Sequence, residues 1–258
     1  MQKKNVNENN NFVVEFYESE WFNELSGGSH HPGGIELVEK VAEYAKIKPG
    51  HKVLDIGCGN GSSDLFIAEK YGCSVEGLDS SRKMIDIAKK EAKRREIDKV
   101  KFEVLDAGYL PYLESYFDMV LCISSISLFD KKTIFNEVYR VLRSKGRFVI
   151  TNMVALKKIP DSMKNQLTFA SCIAGAETVE RFIELFKESG FADIHTEDRS
   201  SDLRKQWLKI YVNLLLNKKS SYPNLNKRAK SVNKFLDMAK MISDEEMVGY
   251  FLIEGAKR

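Results

Sequence analysis

The chain has little of what marks several common classes of protein. Its four cysteines form no Cys-x-x-Cys pair, so the sequence indicates neither a zinc site nor a disulfide framework. No apolar run approaches the length that crosses a bilayer, and residues 1–11 are asparagine-rich, without the apolar core of a signal peptide. The 40 basic and 37 acidic residues are too balanced to indicate a nucleic-acid partner. We therefore expect a cytoplasmic protein with no metal, no nucleic-acid partner and no membrane attachment.

A glycine-rich stretch at residues 53–62 organises the chain. It reads Val-Leu-Asp-Ile-Gly-Cys-Gly-Asn-Gly-Ser, so an apolar run containing Asp55 precedes three alternating glycines, Gly57, Gly59 and Gly61. Glycine has no Cβ and tolerates positive φ, which lets a ligand approach such a turn closely. The free N–H groups of a following helix would point at any negative group bound there. A dinucleotide fingerprint places its third glycine one residue later, so this spacing indicates a different ligand.

Two further acids stand at the ends of segments that read as strands. Residues 74–79 form the second predicted strand, which ends in Asp79 and is followed by Ser80. Residues 100–107 form the third, with Asp106 near its end. In nucleotide-binding α/β units an acid about 20 residues beyond the glycine loop accepts hydrogen bonds from ribose hydroxyls, a role that Asp79 fits. Because open α/β sheets bind ligands at the carboxyl ends of their strands, the three acids predict one shared site.

Strands and helices alternate along most of the chain. The run at residues 117–123 is apolar throughout, as expected of a central parallel strand that is buried on both faces. Further strands are predicted at residues 146–150, 191–198 and 250–253, and helices at residues 35–47, 61–71, 81–95, 130–142 and 178–190. We predict an α/β fold: a Rossmann-like, seven-stranded, mostly parallel sheet with helices on both faces and a helical lid or insertion.

The D-x-G-x-G-x-G motif that begins at Asp55, with the acids at two later strand ends, resembles the class I S-adenosylmethionine-dependent methyltransferases. The resemblance covers most of the first 154 residues. It implies a Rossmann-like methyltransferase fold, with S-adenosylmethionine as cofactor and Asp106 beside the adenine amino group. The positions that it assigns to the cofactor are Asp55, Gly57, Cys58, Gly59, Asp79, Ser80, Asp106, Ala107, Cys122 and Gly34.

Four units follow from this assignment. Residues 1–34 form an N-terminal lid helix and a Gly-rich loop, and residues 35–199 form the cofactor-binding core. Residues 200–247 form a helical insertion that would roof the substrate pocket, and residues 248–258 supply the final strand. Aromatic residues at helical spacing in 12–25 predict an amphipathic helix. Two interpretations of that helix stay open, a helix packed on the sheet edge or a lid over the cofactor.

Candidate catalytic residues lie in the N-terminal segment. In similar small-molecule methyltransferases, including phosphoethanolamine and glycine-type N-methyltransferases, a Gly-Gly pair lies against the methionine end of the cofactor. That resemblance would bring His30 and His31 close to the reacting atoms. Imidazole titrates near neutrality, so both histidines are candidate general bases, together with Tyr17. The alternative, two exposed loop histidines without a catalytic role, stays open.

The plan of the chain is similar to that of the phosphobase N-methyltransferases, with differences at two places. Those enzymes carry an acid and a histidine shortly after the fourth strand, where this chain has Ser124 and Leu128. They also place basic residues just before the last strand, where this chain has acids at 244–246. We therefore expect a small neutral or cationic methyl acceptor rather than a phosphate-bearing one.

The acceptor atom is expected to be an amine nitrogen or an oxygen, methylated by in-line displacement in a monomer or homodimer. One alternative is a thiol or arsenic(III) methyltransferase, for which only Cys172 lies clear of the predicted core strands and motifs. Another is a protein that binds S-adenosylmethionine and acts on RNA or protein. No separate RNA-binding module or strongly basic domain is visible in the sequence, which favours the small-molecule interpretation.

Overall fold

A computed structural model describes residues 17–19, 26, 30–105, 108–160, 172–173, 175–217 and 246–258, without the side chains of 214–217. The strands are β1 (Lys52–Ile56), β2 (Ser74–Asp79), β3 (Val100–Val104), β4 (Phe117–Ile123), β5 (Leu142–Ala155), β6 (Phe191–Asp198) and β7 (Val248–Lys257). The helices are α1 (Gly34–Ala45), α2 (Ser62–Tyr71), α3 (Arg82–Arg94), α4 (Lys131–Val141), α5 (Val179–Glu188) and α6 (Ser200–Asn217), with a 3₁₀ turn at Ile126–Leu128.

The strands form one seven-stranded sheet in the order β3-β2-β1-β4-β5-β7-β6. Strand β7 is antiparallel to β5 and β6, and the other neighbouring strands are parallel. The predicted seven-stranded, mostly parallel α/β fold is therefore confirmed. The strand order reverses between β1 and β4, and in open α/β sheets ligands bind in the crevice at such a point.

Helices cover both faces of the sheet. On one face Phe135 of α4 and Phe186 of α5 pack with Phe148 of β5, at ring-centroid distances of 4.9 to 5.4 Å. On the other face Leu37 of α1 and Ile67 of α2 are fully buried against the sheet. Burying each side chain of this size contributes about 1.5–3 kcal/mol, so the two layers hold the strand ends in fixed positions.

Helix α4 illustrates how local sequence sets an element. Asp130 begins it as an N-cap, because its carboxylate accepts the Thr133 N–H at 2.9 Å. Ile134, Val138 and Val141 then recur on one face and are buried. The helix ends where Leu142 enters strand β5 with extended backbone angles.

The antiparallel pair of β5 and β7 is longer than the sequence predicts. The predicted strands covered residues 146–150 and 250–253, whereas pairing runs along β5 from Arg147 to Ala155. The extensions carry polar and small residues such as Asn152, which interrupt the apolar run by which a strand is recognised. Cross-strand hydrogen bonding extends a strand without requiring an apolar sequence.

Other predicted features fall outside the described part of the chain. Of the predicted helix at 12–25 only residues 17–19 are described, and residues 218–245 of the predicted insertion are not described. Asp106 and Ala107 also lie outside the described residues. Among the helices that are described, none is both long enough and apolar enough to cross a membrane.

Candidate active site

A cavity of about 370 Å³ lies at the carboxyl ends of β1, β2 and β4. Its volume lies within the range of small-molecule sites, about 300–1,000 Å³. Nine residues assigned from the sequence line it: Tyr17, His30, His31, Asp55, Gly57, Cys58, Gly59, Asp79 and Ser80. The fold therefore brings the N-terminal candidates and the glycine loop into one site.

The glycine loop is folded tightly against its neighbours at Gly57. The N–H groups of Gly57 and Cys58 both donate to the carbonyl oxygen of Leu78, at 2.7 and 3.0 Å. Gly57 has φ of 79°, and a Cβ there would lie 2.4 Å from Ser125 Oγ. Any side chain at this position would collide with Ser125, so only glycine fits between β1 and the segment after β4.

The next glycine, Gly59, is open on the cavity side. Its φ is 56°, and a Cβ there would meet only the His30 Nδ1 atom, at 3.9 Å. Its N–H donates to Asp79 Oδ2 at 2.9 Å, while Asp79 Oδ1 accepts the Ser81 N–H at 2.8 Å. Burial raises the pKa of Asp79, and these backbone hydrogen bonds oppose the rise. The Asp79 carboxylate is therefore fixed in the cavity wall, with lone pairs left for a ligand's hydroxyl groups.

Two buried acids meet behind the loop. Asp55 and Asp64 are 2% and 0% exposed. Among the described residues, Asp55 Oδ1 and both Asp64 oxygens have no hydrogen-bond donor. Two ionised carboxylates cannot bond to each other, whereas a proton on one creates an O–H···O bond between them. Burial raises the pKa of both acids, and the neighbouring Asp55 charge raises that of Asp64 further, so the pair holds a shared proton near neutral pH.

The His31 ring is held by hydrogen bonds at both nitrogens. Nδ1 lies 3.1 Å from the carbonyl oxygen of Pro32, and Nε2 lies 3.2 Å from Ser63 Oγ. A carbonyl can only accept, so Nδ1 carries the proton and Nε2 accepts from the Ser63 hydroxyl. Burial lowers the pKa of His31, which keeps the ring in this neutral form. His31 therefore ties the loop before α1 to the first turn of α2.

The His30 ring faces Tyr17 in the cavity. Their ring centroids lie 5.8 Å apart with the planes tilted by 52°. Burial, followed by the neighbouring His31, lowers the pKa of His30 to about 4. Burial raises the pKa of Tyr17 well above its ordinary value, so its phenol keeps its proton. At neutral pH the cavity thus holds an uncharged imidazole beside an uncharged phenol.

Two of the assigned cofactor residues lie apart from the cavity. Cys122 is fully buried in the core, with its sulfur 3.0 Å from Ser125 Oγ, so the strand end presents Ser124 and Ser125 to the cavity instead. Strand alternation turns the Cys122 side chain towards the core, and its assignment to the cofactor stays a prediction. Gly34 is the first residue of α1 and does not line the cavity.

Several lining residues were not found from the sequence. Ser124, Ser125 and Phe129 follow β4 without a recognisable motif, and Ser125 Oγ donates to the Ile56 carbonyl at 2.7 Å. The buried Asp64 behind the loop was also not found from the sequence, where its only signal was an acid in the first turn of α2.

Within the described residues no three His, Cys, Asp or Glu side chains cluster as a metal site would require.

Comparison with known proteins gives the family. Residues 47–190 match a family described as a methyltransferase domain. The chain is 30% identical over 176 residues to methyltransferase GfsG of Streptomyces halstedii, a match that covers 66% of this chain and 63% of that protein. It is 31% identical over 173 residues to phosphoethanolamine N-methyltransferase 1 of Arabidopsis thaliana, which covers 65% of this chain and 34% of that protein. The chain thus spans less than two thirds of the length of these relatives.

A structural relative extends over nearly the whole chain. The crystal structure of the [4+2]-cyclase SpnF superposes with a TM-score of 0.79 over 94% of both chains, at 22% identity. Identity at that level shows a shared fold and leaves the reaction open. The family match covers more than half of this chain, so the protein belongs to the class I S-adenosylmethionine-dependent methyltransferases. Its cofactor is S-adenosylmethionine.

Proposed function

We propose that the protein methylates a small molecule at an amine nitrogen or a hydroxyl oxygen. The observation that supports this proposal most is the neutral His30 beside Tyr17, in the same cavity as Asp79 and the glycine loop. S-adenosylmethionine supplies a methyl group activated on its sulfonium and leaves as the neutral thioether. The chain must hold the acceptor in line with that methyl group and keep water out.

The fixed carboxylates fit this cofactor. Asp79 would accept hydrogen bonds from the ribose hydroxyls, because its position is already set by the N–H groups of Gly59 and Ser81. Asp55 lines the same cavity near the end of β1 and would lie beside the methionine end of the cofactor. Gly59 would leave space for the ligand against the loop backbone.

His30 is the proposed general base. An amine or hydroxyl acceptor loses its proton as the carbon–nitrogen or carbon–oxygen bond forms, and His30 would take that proton on its neutral ring. Both His31 nitrogens are engaged with Pro32 and Ser63, which makes His31 a positioning residue. Tyr17 keeps its proton and bonds through its hydroxyl to Cys172, so it would line the acceptor site beside His30 as an uncharged ring.

The charge of the cavity supports a neutral or cationic acceptor. Its carboxylates are Asp55 and Asp79, and within the described part of the chain no Lys or Arg lines it. A phosphate group needs cationic or N–H donors to replace its hydration. We therefore propose an acceptor without phosphate, although one relative is by name a phosphoethanolamine methyltransferase.

We further propose that residues 1–34 act as a lid and residues 200–247 as a roof. Support comes from Tyr17, which lines the cavity, and from Glu18, whose carboxylate accepts from Ser81 Oγ at 2.5 Å. Lys83 Nζ donates to the Glu18 carbonyl oxygen at 2.8 Å. These contacts hold residues 17–19 over the end of the cavity where Asp79 lies.

The alternative of arsenic(III) or thiol methylation has less support. Arsenic(III) requires several thiolates together, whereas Cys122 lies in the core and Cys172 donates to the Ser124 carbonyl oxygen at 3.3 Å. Burial raises the pKa of Cys172 to about 12, which keeps it a thiol. Cys58 lines the cavity with its pKa also raised by burial. A protein that binds the cofactor and acts on RNA or protein is the remaining alternative.

Transfer of label from methyl-labelled S-adenosylmethionine to a panel of small molecules tests the proposal. The panel contains amines, phenols, aliphatic alcohols, thiols, arsenite and carboxylates. We expect product with an amine or hydroxyl compound. Product with arsenite or thiols alone, or tight cofactor binding without transfer to any compound, would contradict it.

The two histidine roles are separated by His30→Gln and His31→Gln. We expect His30→Gln to lower kcat by about 10²–10⁴-fold, the usual contribution of a general base, with the Kd for S-adenosylmethionine unchanged. His31→Gln should lower Tm and raise the cofactor Kd, because the loop loses its tie to Ser63. A pH–rate profile of each variant completes the test. Protonation of the base should lower the rate of the wild type and of His31→Gln at acid pH, and only His30→Gln should lack this fall. Equal kcat in His30→Gln and the wild type would remove His30 from the mechanism.

A further inference from the structure

The residue after β4 is held in an unusual backbone conformation. Ser124 has φ of 59°, which residues other than glycine, asparagine and aspartate seldom adopt. Its N–H donates to the Thr151 carbonyl oxygen at 2.8 Å, and its side chain lines the cavity. The conformation turns the Ser124 hydroxyl between the cavity and the buried strands β5 and β7.

Behind Ser124 lies a short chain of buried hydroxyl groups, the hydroxyl relay, formed by Ser124, Tyr250 and Thr151. Tyr250 and Thr151 are fully buried. The Tyr250 hydroxyl donates to Thr151 Oγ1 at 2.8 Å and lies 2.5 Å from Ser124 Oγ. A phenol has one proton to donate. Since Tyr250 gives its proton to Thr151, Ser124 must donate to Tyr250.

The relay fixes what Ser124 offers to a ligand. Its only hydroxyl proton is directed at Tyr250, away from the cavity, so Oγ has only lone pairs left for a bound molecule. Its backbone carbonyl oxygen already accepts from Cys172 Sγ at 3.3 Å. An oxygen with lone pairs alone attracts N–H and O–H groups, and it repels carboxylate and phosphate oxygens.

The sheet topology places Ser124 on the side of the cavity away from the ribose site. Asp79 ends β2, whereas Ser124 follows β4, and β1 lies between these two strands. A cofactor held by Asp79 therefore extends over β1 and β2, which leaves the end of β4 for the second reactant.

We propose that Ser124 Oγ is an acceptor-only recognition point that selects methyl acceptors carrying an N–H or O–H group and excludes carboxylates and phosphates. This inference rests on the proposed function and adds a specificity-determining residue to it. Ser124 binds the molecule to be methylated, and Tyr250 and Thr151 act through Ser124 by fixing the direction of its proton.

The kinetic test uses the best acceptor of the panel described above. We expect Ser124→Ala to raise its KM about 3–10-fold, the effect of one lost hydrogen bond, with the Kd for S-adenosylmethionine unchanged. Thr151→Val should raise KM similarly, although Thr151 does not line the cavity, because Tyr250 then donates to Ser124 and turns its proton towards the ligand. Thr151→Ser keeps the hydroxyl and should restore the wild-type KM.

Three kinetic results would overturn the inference. The first is an unchanged KM in Ser124→Ala, and the second is a best acceptor that has no N–H or O–H group. A similar loss in Thr151→Val and Thr151→Ser would assign the effect to packing rather than to the relay, and so would also overturn it.

Neutron diffraction from deuterated crystals tests the relay without turnover. The expected map has the Tyr250 deuterium directed at Thr151 Oγ1 and the Ser124 deuterium directed at Tyr250. A Tyr250 deuterium directed at Ser124 overturns the inference, whichever acceptor the protein uses. Absence of methyl transfer to every compound would instead contradict the proposed function, while this measurement would still decide the direction of the relay.

Discussion

The two sides of the cavity are built in different ways. On the side of β1 and β2 the contacts join residues close in the chain, as in the Gly59–Asp79 hydrogen bond across 20 positions. On the side of β4, β5 and β7 they join distant residues, as in the Ser124–Tyr250 contact across 126 positions. The first side uses backbone N–H groups and carboxylates, and the second uses hydroxyl groups. The side proposed for the cofactor, the cofactor side, thus has a local sequence signature, whereas the side proposed for the methyl acceptor, the acceptor side, depends on the completed sheet.

The largest effect is expected from Gly57→Ala. The added Cβ would meet Ser125 Oγ at 2.4 Å, and φ of 79° disfavours any side chain. Overpacking and the left-handed backbone together predict a loss of about 2–5 kcal/mol in the free energy of unfolding, measured by urea denaturation. Gly59→Ala is the matched control, because its Cβ meets only His30 at 3.9 Å.

Gly59→Ala should lose only about 1–2 kcal/mol of stability from its backbone conformation, while its Kd for S-adenosylmethionine rises. Equal losses of stability in Gly57→Ala and Gly59→Ala would contradict this expectation. In that case the loop would be set by its backbone angles alone and not by its fit against Ser125.

The next largest effect is expected from Asp79→Ala, which changes the cofactor side of the cavity. The variant loses both the anchor of Gly59 and the proposed acceptor for the ribose. We expect binding of S-adenosylmethionine to weaken by about 1.5–3 kcal/mol in calorimetry, the range for a charge-assisted hydrogen bond. Asp98→Ala, an exposed acid before β3, is the control. Unchanged affinity in Asp79→Ala would remove this residue from the site.

A smaller effect, dependent on pH, is expected from Asp64→Asn. The folded pKa of Asp64 is raised, so its contribution to stability is complete below about pH 3.9, the unfolded value, and is lost as pH rises through the folded value. Asparagine keeps a donor towards Asp55 and cannot ionise. We therefore expect the variant and the wild type to have similar free energies of unfolding near neutral pH. At alkaline pH the variant should be more stable than the wild type by about 1 kcal/mol.

Other titratable groups facing the pair are Cys58, Cys73, Cys122 and Asp79, which both variant and wild type retain. Parallel stability curves for Asp64→Asn and the wild type would show that the two acids share no proton. An infrared carboxylic-acid band at neutral pH, absent from the variant, gives a second measure of the same proton.

The last effect on stability is confined to acid pH and is expected from His30. Its folded pKa of about 4 lies below the unfolded value of about 6.5, so its contribution is present above pH 6.5 and is lost as pH falls towards 4. His30→Gln should reduce the fall in Tm between pH 6.5 and pH 4. The control is His51→Gln, on the turn before β1. An identical acid loss of Tm in wild type and both variants would contradict the buried, neutral state of His30.

The sequence predicted the cofactor side because its signals are short-range. Gly57, Gly59 and Asp79 stand within one strand–loop–helix–strand unit, and the chemistry of each follows from its position at a strand end. The fold class followed from the same alternation of strands and helices. The assignment of Cys122 to the cofactor by resemblance stays a prediction, since its side chain points from β4 into the core.

The acceptor side could not be predicted to the same degree. Tyr250 reads as one aromatic residue in a final strand, and its contact with Ser124 exists only because β7 pairs with β5. The role of Asp64 was equally hidden, since an acid in the first turn of a helix is ordinarily a surface residue favoured by the helix dipole. Its burial arises from α2 packing over β2, where Asp64 lies against Gly77.

Strand β7 also determines the order in which the site is completed during synthesis. It lies between β5 and β6, so the sheet cannot close until residue 257 has left the ribosome. Before then β6 lacks a neighbouring strand among those described, and β5 has an unpaired edge open to association with other chains. A nascent chain that ends before residue 248 already contains the glycine loop and Asp79, whereas Tyr250 has yet to be made. Recognition of the acceptor is therefore the last property of the site that the growing chain acquires.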